Sequence, residues 1–181
     1  MVRKLKFQEQ KLLKKVDFIS WEIDHNLQEG KILRRYYIKK REHYSLYNTL
    51  AAEIRSIARL LKDLPLNDPF RRNNVRKLLN KLYACGLVPS MDSLERADKV
   101  SASSFCRRRL PVMMKRQGMT EYVREASDFV EQGHVRVGTE LVTDPAFLVS
   151  RNLSDVITWT NKSKIRKHVL DYNNERDDFY L

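Results

Sequence analysis

Positive charge is concentrated in one short stretch just past the middle of the chain. Three consecutive arginines occupy positions 107–109, and a lysine and a further arginine follow about two helical turns later. Guanidinium groups donate paired hydrogen bonds that match phosphate geometry, and lysine adds a compact point charge. This combination is typical of a surface that binds the backbone of a nucleic acid. The candidate RNA-binding residues in this stretch are Arg107, Arg108, Arg109, Lys115 and Arg116.

A helix over residues 103–117 would give this stretch a core side and a cationic side. At 100° per residue, one sector collects apolar side chains that we expect to be buried, namely Cys106, Leu110, Met113 and Met114. Arg108 and Lys115, seven residues apart, lie almost opposite that sector, and we expect both to point away from the core. Pro111 should kink or interrupt the helix because it removes a backbone donor.

The residues that follow predict a second helix and two strands. Thr120 is placed to cap the helix, Ala126 and Val130 belong to its buried stripe, and Gly133 suits the left-handed position after its end. Strands are predicted at 134–137 and 140–142, joined by a turn at 138–139. Val135 and Val137 share the buried face, so the opposite face presents two further RNA-binding candidates, His134 and Arg136.

Two amphipathic helices are predicted upstream of this stretch. In the first, over 44–64, the apolar positions recur at helical steps, with Ala51 and Ala58 beside them: Leu46, Leu50, Ile54, Ile57 and Leu61. The second begins with Asp68 as N-cap and Pro69 in the first turn, and Gly86 follows its end. The two should pack as an antiparallel pair. Residues 88–100, with mixed charge and small polar side chains, are the best internal boundary.

The overall charge points to a polyanionic partner. The chain of 181 residues carries 35 Lys and Arg against 23 Asp and Glu, a formal net charge of +12. Such an excess repels itself unless a polyanion neutralises it, and nucleic acid is the leading candidate. An anionic membrane surface is the weaker alternative, since no apolar run is long enough to span a bilayer and no secretory signal is visible.

Further basic residues are secondary candidates for RNA or partner contacts. The first twenty residues form either a solvated terminal helix or an extension that reaches RNA or a neighbouring protein. In residues 31–47, basic and aromatic side chains alternate, which suits stacking on unpaired bases as well as sealing a helical core. The secondary candidates are Arg3, Lys4, Lys6, Lys11, Lys14, Lys15, Arg34, Arg35, Arg71 and Arg72.

Nothing in the sequence predicts catalysis, a metal site or a cofactor. The chain has no phosphate-binding glycine loop, dinucleotide fingerprint, zinc-protease motif or nucleophile elbow. Its four histidines and its cysteines, Cys85 and Cys106, lack metal-ligand spacing. We therefore expect a non-enzymatic protein with reduced thiols and no small-molecule substrate.

Residues 108–149 resemble the S4-type RNA-binding domain of a small-subunit ribosomal protein family. The matching residues are Arg108-Arg109-Leu110, Ala126 with Phe129-Val130, the run from Gly133 to Val137, and Asp144-Pro145. Residues 47–88 are similar to the helical pair that precedes this domain in the eukaryotic and archaeal ribosomal protein. Many such domains carry basic residues in the second helix, whereas this chain has Glu121 and Asp128, so the resemblance implies that RNA binding depends on the first helix and the strand.

The chain resembles most closely the branch of that family found in the U3 small nucleolar ribonucleoprotein. The similarity covers the opening residues 2–18, 68–72, 106–112 and the closing Asp177-Asp178-Phe179. It implies a nucleolar assembly factor that binds U3 RNA and pre-ribosomal RNA and promotes their pairing. It also implies two protein partners, a large acidic scaffold phosphoprotein and a second RNA-binding subunit. The alternative is a structural protein retained in the small ribosomal subunit.

These observations predict an α+β protein, with a helical amino-terminal region before a small module of two helices and short antiparallel strands. We predict four segments: a basic extension at 1–43, the helical region at 44–99, the S4-like RNA-binding domain at 100–152 and a carboxyl-terminal tail at 153–181. The tail ends in acidic residues, and its sequence is compatible with disorder, with folding back on a basic face or with docking on a partner.

Overall fold

The computed structural model describes residues 3–15 and 26–175, arranged in two compact units, 1–35 and 36–181. The first unit contains α1 (Phe7–Lys15) and α2 (Asn26–Arg35). Glu9 lies in the first turn of α1, where it accepts from the backbone of Lys6 at 2.8 Å and pairs with Arg3 at 2.6 Å. The side chains of Lys14 and Lys15 lie outside the described part of the chain, as do residues 176–181 with the acidic end of the tail.

The second unit has a helical half followed by an α+β module. The helical half contains α3 (Arg41–Asp63), α4 (Pro69–Ala84), α5 (Glu95–Asp98) and α6 (Ala102–Cys106). The module contains α7 (Leu110–Arg116), α8 (Val123–Glu131), β1 (Val135–Val137), β2 (Glu140–Leu141), β3 (Ile157–Trp159) and α9 (Lys164–Tyr172). This arrangement confirms the predicted fold class.

The buried face of helix α3 is shifted from the predicted one, although Leu61 of the predicted stripe is buried as expected. Tyr47, Ala51 and Ala58 are buried, whereas Leu46 and Ile57 are 54% and 46% exposed. The alanines let α5 and α6 approach α3 closely, and the ring of Tyr47 stacks on Phe105 of α6 at 5.6 Å. The prediction that Leu46 and Ile57 face the core is therefore wrong by one position along the helix.

Helix α4 begins and ends as predicted. The side chain of Asp68 accepts from the backbone of Phe70 at 2.8 Å, and Pro69 occupies the first turn. After the C-cap residue Cys85, Gly86 adopts a φ of 74°. Leu79 and Leu82 are buried against the rest of the helical half.

Residues 88–100 form a packed segment and not an exposed linker. Val88, Ala97 and Val100 are almost completely buried, and α5 lies against α3. Apolar burial on both sides of the proposed boundary ties the helical half to the module. The boundary at residue 99 stays a prediction. The polar residues that suggested this boundary lie on the outer surface of a packed segment.

The module is a three-stranded antiparallel sheet covered by α7 and α8. The strand order is β2-β1-β3, with Val137 opposite Glu140 on one side and Ile157 on the other. Its core is formed by residues from both helices and from the sheet: Leu110, Met113, Met114, Ala126, Val130, Val135, Val137, Val149 and Ile157. The third strand, β3, was not predicted; it lies in the segment assigned to the tail.

Candidate nucleic-acid interface

The run of three arginines lies at a break between two helices. α6 ends at Cys106 and α7 begins at Leu110, so the predicted continuous helix over 103–117 is interrupted just before Pro111. Extended backbone at Arg109 pairs with Leu148, and the backbone of Val149 donates to the carbonyl of Arg108 at 2.8 Å. The interruption rotates the side chains away from their positions on a single helix.

Arg108 points into the protein, and the prediction that it faces solvent is wrong. Only 8% of it is exposed. Its Nε and Nη2 atoms donate to the carbonyl of Val149 at 2.8 and 2.5 Å, and Nη2 also donates to Oγ of Ser154 at 2.9 Å. Burial, and then the nearby charges of Arg151 and Arg116, lower the pKa of Arg108. Its guanidinium therefore joins the end of the domain to its first helix.

Arg109 is also buried, which contradicts its predicted place on the cationic face. It is 4% exposed, and its Nη1 donates to the hydroxyl of Tyr47 at 3.1 Å and lies 3.5 Å from Nδ1 of His43. Burial raises the pKa of Tyr47, and the charge of Arg109 partly opposes that rise. Arg109 thus anchors the module to α3.

The exposed cations of this stretch are Arg107 and the last two residues of α7. Arg107 donates from Nη2 to Oγ of Ser104 at 3.2 Å and remains accessible. Lys115 and Arg116 are exposed, and neither has a hydrogen bond or an ion pair within the described residues. Their position in the last turn suits the negative end of the helix dipole. We call Arg107, Lys115 and Arg116 the α7 surface.

The two candidates on the sheet differ in what they contact. His134 is half-buried, its Nδ1 lies 3.1 Å from Oγ of Ser163, and its ring meets Phe129 edge to face. Arg136 donates from Nε to Oγ1 of Thr158 at 2.9 Å, across the β1–β3 pair. His134 therefore contacts the start of α9. Arg136 lies on the open face of the sheet, as the alternation of Val135 and Val137 predicted.

A group of cations next to this face was missed by the sequence analysis. Ser163, the N-cap of α9, contacts His134, so the start of α9 lies beside β1. The first turn of α9 has no acidic residue. Exposed lysines surround it, and with Arg136 they form what we call the strand–α9 surface: Arg136, Lys162, Lys164 and Lys167. The sequence signal for this surface is the basic run at 162–168, which lies in the segment predicted to be a carboxyl-terminal tail.

The exposed side of helix α8 carries acidic side chains. Glu131 pairs with Lys39 at 2.7 Å, and Asp128 lies 3.5 Å from the same ammonium. The hydrogen bond with Glu131 raises the pKa of Lys39. Thr120 does not cap α8: the N-cap residue is Tyr122, which makes no side-chain capping bond. The predicted Thr120 cap is therefore wrong, because the helix begins one half-turn later.

The secondary candidates are spread over both units. Arg71 is half-buried and donates to the carbonyl of Leu64 at 2.6 Å. The other candidates with described side chains are exposed: Arg3, Lys4, Lys6, Lys11, Arg34, Arg35 and Arg72. Arg3 is engaged by Glu9. The exposed side of α4 also carries Arg76, Lys77 and Lys81.

Among residues 3–15 and 26–175, no group of His, Cys, Asp and Glu side chains could hold a metal ion. No helix in that part of the chain is long and apolar enough to cross a membrane.

The two thiols should differ sharply in reactivity. Cys85 is exposed, whereas Cys106 is buried, and burial raises the pKa of the Cys106 thiol to about 11. Since the thiolate is the nucleophile, only roughly one in a thousand Cys106 thiols would be ionised at pH 8. We expect iodoacetamide at that pH to alkylate Cys85 and spare Cys106 in the native protein, as measured by peptide mass spectrometry. Equal labelling of both thiols without denaturant would contradict the packing of α6.

Comparisons with known proteins agree with this architecture. The Ribosomal protein S4/S9 N-terminal domain matches residues 4–107, and the S4 domain matches residues 108–157. The U3 small nucleolar ribonucleoprotein protein imp3 of Caenorhabditis elegans is 62% identical over 181 residues, covering 100% of this chain and 99% of the relative. The corresponding protein of Mus musculus is 59% identical over 182 residues, with the same coverage.

Similarity to ribosomal proteins is lower. The small ribosomal subunit protein uS4 of Picrophilus torridus is 26% identical over 144 residues, covering 79% of each chain. The two S4-type domains match in succession along the chain. The full-length relatives above 50% identity share one name, which identifies the branch within the wider S4 group. The chain belongs to the family of the U3 small nucleolar ribonucleoprotein protein IMP3.

Proposed function

We propose that the protein is a non-catalytic RNA-binding factor of small-subunit assembly, acting as the S4-like subunit of a U3 small nucleolar ribonucleoprotein. The observation that carries the proposal is the α7 surface, where exposed Lys115 and Arg116 have no partner in the described chain and lie on the first long helix of an S4 domain. The names of the relatives support the assignment to the U3 particle.

The proposed mechanism is recognition of RNA shape through the sugar–phosphate backbone. Lysine and arginine contacts to phosphate and 2′-hydroxyl groups position a protein on structured RNA without reading the base sequence. The α7 surface supplies Arg107, Lys115 and Arg116. The strand–α9 surface supplies Arg136 and its neighbouring lysines, in place of the buried Arg108. His134 orients the start of α9 through Ser163.

The remaining proposals concern where the protein acts and with which partners. We propose a nucleolar location and RNA partners that include U3 RNA and pre-ribosomal RNA, whose pairing the protein would promote. The acidic scaffold phosphoprotein and the second RNA-binding subunit would contact the extension at 1–43 and the segment at 153–181, which flank the helical region at 44–99 and the domain at 100–152. No catalytic step is required for this role.

Replacing Lys115 and Arg116 together by glutamate should weaken binding to a U3 RNA transcript by at least about tenfold. The change removes two phosphate contacts and adds repulsion, while both side chains lie outside the core. The slope of log K against log salt should become shallower by about 1.5, since each contact contributes roughly 0.7–0.9. Filter binding or fluorescence anisotropy over a range of salt concentrations measures both quantities.

The matched control is Lys62→Glu with Lys99→Glu, which makes the same change in net charge at exposed positions elsewhere in the second unit. It should keep the wild-type slope. Equal losses in the two double variants would mean that net charge alone drives binding, and would overturn the assignment of the α7 surface.

The alternative function is that of a resident ribosomal protein, favoured only by the lower-identity match to uS4. Sucrose-gradient sedimentation of cell extracts separates the two roles. An assembly factor travels with large nucleolar pre-ribosomes, whereas a resident protein travels with mature small subunits.

A further inference from the structure

A small cavity lies between the start of α3, helix α8 and the loop at 144–146. Its volume is about 170 Å³, and its wall contains two lysines, an arginine, a histidine, two carboxylates, a hydroxyl and an aromatic ring. We propose that this cavity holds one unpaired base of a bound RNA. The proposal rests on the proposed function, since it specifies which part of the RNA this surface takes.

Two buried polar groups at this cavity have hydrogen-bonding capacity that the described chain does not use. Ser127 is 1% exposed, and its Oγ has no hydrogen-bond partner. Arg109 uses only Nη1, toward Tyr47 and His43, and makes no ion pair with a described carboxylate. A guanidinium has five donor hydrogens, so its Nε and Nη2 groups remain available. A buried hydroxyl is normally paired, so the unpaired Oγ of Ser127 points to a ligand at this wall.

The charges around the cavity are of both signs. Lys39, Lys40 and Arg109 line it together with two carboxylates, and Lys39 already binds both oxygens of Glu131. The other carboxylate, Asp144, would repel a phosphate at its end of the cavity. One oxygen of Asp144 accepts from the backbone of Ala146 at 2.8 Å, which leaves its second oxygen able to accept from a ligand. Donors and acceptors side by side match the edge of a nucleobase, whose ring atoms alternate in the same way.

The rest of the wall suits a flat ring. Pro145 and Ala146 provide an apolar side, and Tyr37 lies at the rim. Tyr37 adopts a φ of 47°, an uncommon value for a residue with an aromatic side chain. Backbone conformations of this kind concentrate at ligand-binding sites. Stacking on an aromatic or apolar wall, with hydrogen bonds to the base edge, is the usual way in which proteins hold an unpaired nucleotide.

The test compares three forms of one RNA hairpin: fully paired, with a single bulged nucleotide, and with an abasic residue in place of that nucleotide. The bulged form is made with each of the four bases. We expect the wild-type protein to bind at least one bulged hairpin about tenfold more tightly than its abasic counterpart, the scale of one base stacking on protein. Because the abasic RNA keeps the phosphate, the proposal is overturned if none of the four bulged hairpins binds more tightly than the abasic form.

Filling the cavity should remove this preference. Ser127→Leu places a larger side chain into the space, and the ratio of bulged to abasic affinity should fall to about one. Ser56→Leu makes the same chemical change at an exposed position of α3 outside the cavity, and the wild-type ratio should persist. A preference that survives Ser127→Leu in a protein with a native melting curve would overturn the assignment.

A crosslinking measurement decides the question if Ser127→Leu does not fold. A 4-thiouridine at the bulge, irradiated in complex with wild-type protein, should crosslink to Tyr37, His43 or Pro145. Crosslinks confined to residues outside the cavity wall would overturn the proposal. Loss of binding to every hairpin would overturn the proposed RNA-binding function as well, whereas binding without a base preference would overturn this inference alone.

Discussion

Replacing Arg108 by alanine should lower the free energy of unfolding by about 3 kcal/mol. The change leaves the carbonyl of Val149 and the hydroxyl of Ser154 without their buried donor, and hydrogen bonds to charged groups contribute roughly 1.5–3 kcal/mol each. Part of this loss is offset, because the variant no longer buries a positive charge away from water. For a chain of this size the melting temperature should fall by about 6–12 °C. Urea titration and thermal unfolding followed by circular dichroism measure the effect.

The neighbouring Arg107→Ala variant is the matched control. Its side chain is exposed and donates only to Ser104, so its effect should stay within about 0.5 kcal/mol. Similar stabilities for the two variants would mean that Arg108 does not hold the end of the domain. Arg108→Ala should bind less RNA only to the extent that less of the protein is folded. Variants of Lys115 and Arg116 should bind RNA more weakly while they remain fully folded.

The difference between Arg108 and Lys115 shows where helical periodicity succeeds and where it fails. The apolar spacing correctly predicted burial of Cys106, Leu110, Met113 and Met114. It failed for Arg108 and Arg109 because the chain leaves the helix between α6 and α7, which changes the direction of the side chains in the gap. The acceptor that fixes Arg108 is the carbonyl of Val149, a residue 41 positions away, and no local pattern reports it.

Helix α3 illustrates a second limit of local patterns. Its sequence has one stripe of large aliphatic residues and, one position later, a stripe with Tyr47, Ala51 and Ala58. Hydrophobicity favours the first stripe. Packing selects the second, because small side chains let α5 and α6 come close and Phe105 provides a stacking partner for Tyr47. The choice depends on the shape of the neighbouring elements, which the spacing of apolar residues in α3 does not describe.

The candidate sites differ in how much of them was visible in the sequence. The cations of the α7 surface were predicted, since they lie in a basic stretch whose apolar residues recur at helical spacing. The cavity could not be predicted, because its wall joins Tyr37, Arg109, Ser127 and Asp144 from separate elements. The strand–α9 surface falls between these cases: the basic run at 162–168 was visible, but its position beside β1 follows from the third strand and from the contact between His134 and Ser163.

Replacing Gly86 by alanine should destabilise the protein by about 2–5 kcal/mol. Gly86 has a φ of 74°, a conformation that costs an L-residue roughly 1–2 kcal/mol. A Cβ atom there would also lie 2.7 Å from Cζ and Nε of Arg108. That guanidinium is held by the carbonyl of Val149, so it does not move aside freely, and overpacking of this kind adds about 1–3 kcal/mol. Urea titration again provides the measurement.

Gly118→Ala separates the two contributions to this loss. Gly118 has nearly the same φ, 77°, but a Cβ atom there meets nothing within 4 Å, so only the backbone cost of about 1–2 kcal/mol should appear. A double variant, Gly86→Ala with Arg108→Ala, completes the experiment. Since the overlap disappears with the guanidinium, the two losses should be non-additive by about 1–3 kcal/mol. Strict additivity, or equal losses at Gly86 and Gly118, would show that Arg108 is free to leave Gly86 and that the close approach of α4 to the S4 domain does not depend on this pair.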